Sequence, residues 1–265
     1  MDLSKLEALV FDLDGTLLNS KKEVTERNQN AILTAYRKGT TIIFATARPP
    51  RSVKWLLPEK LQTIAPSVYY NGALVIDRER DYYTHEPIDP SLSIEIIEYI
   101  IQKQANASLS IESEDVWYSN KSMDYSKAMN ALVQPIVVPV SKLKELPASK
   151  LLITHYSDHE ALSLQFSEKA NIVCTDNNEL IQIMRKNVSK EAAVTQLCHQ
   201  RGISMKNVMA FGDDWNDFGL LTSCGFPVAM GNGIPELKDL AYIIADTNDE
   251  DGVAKVIENL TVAAV

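Results

Sequence analysis

The chain has 265 residues, of which 45% are hydrophobic and 23% are charged, and its formal net charge is -9. This composition is typical of a globular protein with one large or two modest domains, and an acidic chain without a basic run is not expected to bind nucleic acid. No apolar stretch approaches the roughly 20 residues of a membrane span, and the first residues lack a signal-peptide pattern, so we expect a cytoplasmic protein with no membrane contact. Three distant cysteines predict free buried thiols rather than a disulfide or a zinc site: Cys174, Cys198 and Cys224.

The first predicted element is a buried strand from Ala8 to Phe11, which Asp12 and Asp14 follow directly. Because side chains alternate along a strand, the two carboxylates start on the same side, and Gly15 allows a sharp turn after them. Two unit charges about 4 Å apart repel by roughly 4 kcal/mol at an effective dielectric of about 20, which favours a proton or a cation between them. Mg²⁺ prefers such oxygen ligands, whereas a simple strand-ending turn would explain the same residues without a metal.

A helix and a second strand follow the acidic turn. Thr25 is a typical helix cap, and the pattern predicts a helix from Glu26 to about Lys38 that ends at Gly39. The apolar run over residues 41–45 predicts the next strand. A right-handed crossover makes the two strands parallel, which brings Thr46 to the sheet edge that carries the two acids.

The third predicted strand, from Ser67 to Tyr70, leads to Asn71 and Gly72. The same topology would place Asn71 at the edge with the acids. An Asn-Gly pair between two apolar runs is at least as typical of a hairpin turn. We therefore assign no role to Asn71.

From about Tyr83 the pattern changes, and it predicts a separate α+β unit. The predicted elements are a helix over 92–104, strands over 107–111 and 116–119, a second helix, and strands over 136–140 and 150–155. His155 and His159 have the spacing of metal ligands on a helix. A helix cap at Asp158 separates them, however, so we expect surface histidines.

The first pattern is predicted to return after Ile181. Ser189 is a typical cap for a helix from Lys190 to about Gln200, and a strand over 207–211 follows. A lysine in the first turn opposes the helix dipole by roughly 0.3–1 kcal/mol, which favours a bound anion near Lys190. An exposed lysine with free rotamers would fit the same pattern.

A second acidic loop follows that strand, with the sequence Gly212-Asp213-Asp214-Trp215-Asn216-Asp217. It repeats the design of the first loop, an apolar strand followed by Gly and Asp, and this repetition favours a functional site over a solvated turn. A short helix over 218–223, strands over 226–230 and 242–245, and a last helix over 251–259 complete an alternating α/β half.

Four motifs therefore lie in order along the chain: Asp12-Leu13-Asp14-Gly15-Thr16, Thr46, Lys190, and Gly212-Asp213 with Asn216-Asp217. In this order they resemble the haloacid dehalogenase superfamily, and specifically its Cof-type phosphatases with an inserted α/β (type IIB) cap. Two tail patterns are also similar to that family: Ala229-Met230-Gly231-Asn232 and Asp251-Gly252-Val253-Ala254. Three residues depart from the usual pattern, in which Gly, Gly and Ala are more common: Ala47, Glu191 and Gly233.

The resemblance implies an α/β fold, with a Rossmann-like three-layer core around a parallel sheet and an inserted α+β cap domain. The catalytic core would comprise residues 1–82 and 187–265, and the cap residues 83–186. The cap would act as a lid that selects the substrate, with Glu112, Asp115 or Tyr118 touching the leaving group.

The resemblance also implies the chemistry of the site. Asp12 would attack phosphorus to form an aspartyl-phosphate, and Asp14 would protonate the leaving oxygen and then activate water. Mg²⁺ would be held by the Asp12 carboxylate, the Asp14 backbone carbonyl and Asp213, with Asp217 in support. Four groups would hold the phosphoryl oxygens: the Thr46 hydroxyl, the Ala47 N–H, Lys190 and Asn216.

We therefore predict a Mg²⁺-dependent phosphatase that acts on small phosphorylated metabolites, such as sugar phosphates or related phosphomonoesters. A phosphomutase or phosphotransferase would use the same intermediate but would need bound substrate to exclude water. A non-catalytic sensor of a phosphorylated ligand is a third candidate, although a pure binder needs no proton-transferring Asp14. The sequence leaves the metabolite and the oligomeric state open.

Overall fold

The computed structural model describes residues 5–123, 133–175 and 179–262. Its strands are β1 (Ala8–Phe11), β2 (Thr41–Ala45), β3 (Ser67–Tyr69), β4 (Leu74–Asp77), β5 (Tyr82–His85), β6 (Ser108–Ser113), β7 (Val116–Ser119), β8 (Ile136–Val137), β9 (Lys150–Thr154), β10 (Ala170–Thr175), β11 (Leu180–Arg185), β12 (Val208–Gly212), β13 (Phe226–Ala229) and β14 (Ile243–Ile244). Its α-helices are α1 (Glu26–Arg37), α2 (Pro50–Leu56), α3 (Glu59–Gln62), α4 (Pro90–Lys103), α5 (Val140–Leu143), α6 (His159–Phe166), α7 (Lys190–Gln200), α8 (Phe218–Ser223), α9 (Pro235–Leu240) and α10 (Gly252–Val262). Short 3₁₀ helices include Tyr70–Gly72 and Trp215–Asp217.

The chain divides into two compact units. The first contains Met1–Tyr83 and Ser189–Val265, and the second contains Thr84–Val188. The assignment of a catalytic core and a cap to these parts of the chain stays a prediction. The helix predicted between Ser119 and Ile136 lies outside the described residues.

The first unit is built on an eight-stranded sheet with the strand order β14-β13-β12-β1-β2-β3-β4-β5, in which only the first two residues of β5 belong to this unit. Neighbouring strands from β14 to β3 are parallel, whereas β4 runs antiparallel to β3. Alternate residues of β1 belong to two different apolar clusters: Leu9 and Phe11 to one with residues of α1 and α10, and Ala8 and Val10 to one with residues of α7 and α8. Because helices cover both faces, β1 is apolar throughout. This arrangement confirms the predicted three-layer α/β core.

The register of the central strands determines which residues meet at the carboxyl edge of this sheet. Phe11 of β1 pairs with a phenylalanine of β2 on one side and with a phenylalanine of β12 on the other. From this common level the chain continues within two residues to Asp12, Thr46 and Asp213. The parallel topology therefore brings the predicted site residues together, as expected for an open α/β sheet.

The second unit contains a six-stranded sheet with the order β10-β11-β9-β6-β7-β8. Its neighbouring strands are antiparallel except for β7 and β8. One face packs against apolar residues of α4 and α6, such as Ile97 and Phe166. Tyr118 pairs with Ile111 on that face, whereas Glu112 lies on the opposite face.

Two predicted boundaries are wrong. The first pattern does not return after Ile181, because β11 pairs with β9 and β10 in the second sheet. The strand predicted over 136–140 ends at Val137, since Pro139 cannot donate to a strand ladder and instead occupies the N-cap position of α5, which starts at Val140. Short apolar runs fit both strands and buried helices, which explains such errors.

The structure also tests the predictions on the Asp158 cap, on the three cysteines and on membrane-spanning segments. Asp158 caps α6 by accepting a hydrogen bond from the Ala161 amide, and His159 is the first residue of that helix. The three cysteines are free, although Cys174 is half-buried rather than buried. Within the described ranges, no helix combines the length and the apolar character needed to cross a bilayer.

Asn71 was predicted to lie either at the sheet edge with the acids or in a hairpin turn, and the turn between β3 and β4 meets both descriptions. It is a hairpin, and it lies at the carboxyl edge, where the Asn71 amide donates to the Thr46 carbonyl at 2.9 Å. Gly72 has φ +114°, and a Cβ at this position would lie 2.4 Å from the backbone oxygen of Ser189, the cap of α7. Glycine is therefore required for the turn to pack against the start of α7.

We expect Gly72→Ala to lower the free energy of unfolding by more than Gly39→Ala. Both positions have positive φ, so each alanine introduces backbone strain of roughly 1–2 kcal/mol. Gly39 has nothing within 4 Å of the added Cβ, whereas Gly72 also meets Ser189. Chemical denaturation of the two variants measures the difference, and equal losses would show that α7 does not depend on this contact.

Candidate active site

Three carboxylates meet at the carboxyl edge of the first sheet. Asp12 follows β1, while Asp213 and Asp217 lie on the loop after β12, and each offers one oxygen within 4.8 Å of the others. Asp12 and Asp217 are buried and Asp213 is half-buried. The topology thus places together the two acidic loops that the sequence singled out.

Lys190 is the counter-ion of this cluster. Its Nζ lies 2.5 Å from Asp12 Oδ1 and 2.7 Å from Asp217 Oδ1, and the residue is only 1% exposed. Ser189 caps α7 by accepting from the Ala192 amide, which fixes the helix turn that carries the lysine. The interpretation of Lys190 as an exposed lysine is therefore wrong.

The charges of the cluster do not balance. Three ionised carboxylates against one ammonium leave two negative charges. Burial raises the pKa of Asp12 well above its usual range, although Lys190 opposes this shift. Burial also raises the pKa of Asp213 to about 6. Burial lowers the pKa of Lys190, but its two carboxylate partners outweigh this effect and raise it.

The donor set fits a hard divalent cation. It consists of carboxylate oxygens alone, which are the ligands that such ions prefer. A divalent ion would neutralise the two excess negative charges and remove the need for bound protons. Across the part of the chain that the structure describes, this is the one cluster of three or more His, Cys, Asp or Glu side chains with such spacing.

The turn after β1 packs directly on Asp213. The Thr16 hydroxyl donates to Asp213 Oδ1 at 2.7 Å, and Asn232 donates to the Gly15 carbonyl at 2.7 Å. Gly15 has φ +74°, and a Cβ there would lie 2.1 Å from the Asp213 carboxylate. The first acidic motif, the second acidic loop and the tail pattern around Asn232 are therefore parts of one site.

Asp14 has different partners from Asp12. Arg48 Nε lies 2.5 Å from Asp14 Oδ2, and its Nη2 lies 2.7 Å from Oδ1. Lys22 Nζ also donates to Oδ1, at 2.7 Å. Partial burial raises the pKa of Asp14, but the hydrogen bonds from Arg48 and Lys22 lower it below its usual value. Neither Arg48 nor Lys22 was predicted to have a role. The predicted parallel pairing brings Arg48 to this edge together with Thr46 and Ala47, whereas nothing in the pattern indicated Lys22.

The remaining predicted positions lie along the same edge. Thr46 is buried, and its hydroxyl accepts from the Arg48 amide at 3.1 Å. Ala47 follows it and is half-buried. Asn216 is exposed and donates to the Asn71 side-chain oxygen at 3.2 Å. Asn71 is therefore a further candidate site residue. The Asn-Gly pair after a strand was compatible with this position, but it was equally typical of a hairpin turn.

We expect Lys190→Met to destabilise the protein strongly at neutral pH, because Asp12 and Asp217 would remain buried without a counter-ion. Breaking such a buried pair typically costs about 3–5 kcal/mol. Without the ammonium the pKa of Asp12 rises further above its unfolded value, so the folded state binds more protons and the variant regains stability as the pH falls to about 5. Urea denaturation at the two pH values measures this effect.

The matched control is Lys255→Met. Lys255 pairs with Asp246 at 2.5 Å, but solvent reaches both side chains, which are 37% and 55% accessible, so the loss should stay below about 1 kcal/mol. A similar loss in both variants would contradict a special role for the buried lysine.

Known proteins share this sequence pattern and fold. The family model of haloacid dehalogenase-like hydrolases matches residues 9–257. Phosphatase YwpJ of Bacillus subtilis is 28% identical, with 96% of this chain and 100% of that protein covered. The 5-amino-6-(5-phospho-D-ribitylamino)uracil phosphatase YitU of the same organism is 26% identical, with 94% and 96% covered. The crystal structure of TM0651 from Thermotoga maritima shares 30% identity, with a TM-score of 0.86 and 96% and 97% covered. The resemblance and the prediction of a hydrolase are thus confirmed, and the chain belongs to the haloacid dehalogenase-like hydrolase family.

Proposed function

We propose that the protein is a Mg²⁺-dependent phosphatase that hydrolyses small phosphorylated metabolites through an aspartyl-phosphate on Asp12. The observation that carries this proposal is the buried contact between Asp12 and Lys190, at the sheet edge where Asp213 and Thr46 also lie. A nucleophile and several groups that can donate hydrogen bonds to phosphoryl oxygens are thus assembled around a buried position.

In the proposed reaction, a carboxylate oxygen of Asp12 forms a bond to phosphorus while the bond from phosphorus to the leaving oxygen breaks. Lys190, the Thr46 hydroxyl, the Ala47 N–H and Asn216 would hold the phosphoryl oxygens. Burial raises the pKa of Asp12 well above its usual range; Lys190 opposes this shift, and the proposed Mg²⁺ would add a further positive charge that favours the ionised carboxylate. The nucleophile is therefore poised by two opposing influences.

Asp14 is proposed to move the protons. Its carboxylate is held by Arg48 and Lys22, and these hydrogen bonds lower its pKa, which keeps Asp14 ionised and able to accept a proton from the water that cleaves the aspartyl-phosphate. Protonation of the leaving oxygen in the first step requires Asp14 to carry a proton. We infer that Asp14 leaves Arg48 when it acts as an acid, since this ion pair favours the ionised carboxylate.

Mg²⁺ is the proposed metal. The carboxylates of Asp12 and Asp213 and the backbone carbonyl of Asp14 would hold it, with Asp217 in support. When bound, this ion supplies charge neutralisation for the phosphoryl group and for the crowded carboxylates.

The proposed substrates are sugar phosphates or related phosphomonoesters. Two relatives are phosphatases by name, and the name of YitU specifies a phosphorylated ribityl compound. The sequence predicts that the segment 83–186 selects the leaving group. Of the three residues predicted for this contact, Tyr118 packs with the apolar cluster of the second unit, which leaves Glu112 and Asp115 as candidates.

We expect Asp12→Asn to abolish phosphate release while the protein stays folded. The amide cannot form the acyl phosphate, and Lys190 still keeps its second partner Asp217. Phosphate release from a panel of phosphorylated metabolites, with thermal unfolding of the same samples, provides the measurement.

Asp214→Asn is the matched control. Asp214 lies in the same loop and caps its 3₁₀ helix, and Asn caps a helix about as well as Asp. Full turnover by the Asp12 variant would overturn the nucleophile assignment, and equal losses in both variants would point to general damage of the loop.

We expect excess Mg²⁺ to raise the melting temperature more at neutral pH than at about pH 5. The pKa of Asp213 is raised to about 6, so without a cation the folded state binds more protons than the unfolded state between about pH 4 and 6, and stability falls as the pH rises through this window. Mg²⁺ replaces these protons and reverses the loss.

Differential scanning calorimetry with Mg²⁺ or with a chelator, at both pH values, measures the shift. Asp213→Asn should remove most of it. An equal shift at both pH values, or none with Mg²⁺, would contradict the proposed metal site.

A further inference from the structure

Two aromatic side chains are exposed on the loop that carries part of the acidic cluster. Trp215 is 60% exposed and Phe218 is 38% exposed. Their ring centroids lie 5.8 Å apart and their planes are inclined by 36°. They therefore form a small contiguous aromatic surface that is accessible to a flat ligand group.

The backbone of this loop is held firmly beside the cluster. The Trp215 amide donates to Asp214 Oδ1 at 2.8 Å, and the Asp213 amide donates to Asp217 Oδ2 at 3.1 Å. Asp217 is in turn bound to the buried Lys190. Trp215 thus lies in the sequence between Asp213 and Asp217, on a loop whose backbone is fixed by these hydrogen bonds.

Burial changes steeply along this loop, and this change shows which side of the site faces solvent. Asp217 is fully buried and Asp12 is 4% exposed, whereas Trp215 and Asn216 are exposed. A phosphoryl group at Asp12 must direct its leaving group away from the buried carboxylates and toward solvent. Asn216, which contacts Asn71, and its neighbour Trp215 lie where the site becomes exposed.

We propose that Trp215, supported by Phe218, is a specificity residue that stacks on a ring in the leaving group. The preferred substrates are then phosphate monoesters of ring-bearing alcohols rather than small acyclic ones. An aromatic face attracts the flat faces of heterocycles and arenes, and its contribution is largely independent of hydrogen-bond pattern. This inference rests on the proposed phosphatase function and makes its substrate class narrower.

The test compares benzyl phosphate with propyl phosphate. Both are primary alkyl monoesters, so the bond that breaks is similar and the ring is the main difference. In Trp215→Ala, the ratio of kcat/KM for the benzyl ester to that for the propyl ester should fall about tenfold, which corresponds to about 1.4 kcal/mol. Most of this change should lie in KM, and Trp215→Phe should retain most of the original ratio.

Trp55→Ala is the matched control, because Trp55 is 73% exposed on α2, outside the acidic loop. It should leave the ratio unchanged. A constant ratio in Trp215→Ala, or an equal loss for both esters, would overturn the proposal.

A binding measurement separates this proposal from the proposed function. Isothermal titration of the two esters into Mg²⁺-loaded Asp12→Asn, with and without Trp215→Ala, needs no turnover. If the wild-type protein hydrolyses neither ester, the proposed function fails for this class of substrate. Tighter binding of benzyl phosphate that depends on Trp215 would still support the stacking role of Trp215, and equal binding of the two esters would overturn it.

Discussion

The ammonium group of Lys190, buried between Asp12 and Asp217, is the interaction on which the site depends. A buried lysine is tolerated only when its carboxylate partners are placed accurately, because their attraction must offset the free energy of removing the ammonium from water. Much of the surrounding structure provides that accuracy. Ser189 fixes the first turn of α7, the hairpin at Gly72 packs against the same turn, and the loop after β12 presents its carboxylate from the other side. The fold thus serves to hold one cation among several anions.

Asp12 and Asp14 show how two identical side chains acquire different properties. They are separated by one residue, yet burial raises the pKa of the first, while hydrogen bonds from Arg48 and Lys22 lower that of the second. Different environments for paired carboxylates are a common means of dividing nucleophilic and proton-transfer tasks. The excess negative charge of the cluster favours a bound cation, so the proposed metal site and the proposed nucleophile depend on the same crowded carboxylates.

The sequence predicted the features that depend on local patterns or on chain topology. Apolar runs and a cap determine β1, β2 and α7, and parallel pairing then brings Asp12 and Asp213 to one edge. It could not predict features that depend on side-chain rotamers and on distant partners. The pairing of Arg48 with Asp14 and the contact between Asn71 and Asn216 belong to this class. The burial of Lys190 also does, since its partner Asp12 is 178 positions away.

That separation has a consequence for biosynthesis. β1 pairs with β12 as well as with β2, so the central sheet stays open while the ribosome makes everything between them. The second unit, Thr84–Val188, is complete before the first residue of α7 emerges. During this interval Asp12 has neither its lysine nor the second acidic loop. The second unit is therefore synthesised completely before the first unit is, and Asp12 acquires its neighbours only once α7 and the loop after β12 have been made. Because loop closure must precede such distant pairings, contacts of this kind slow folding and leave the apolar faces of the unfinished sheet without their final partners.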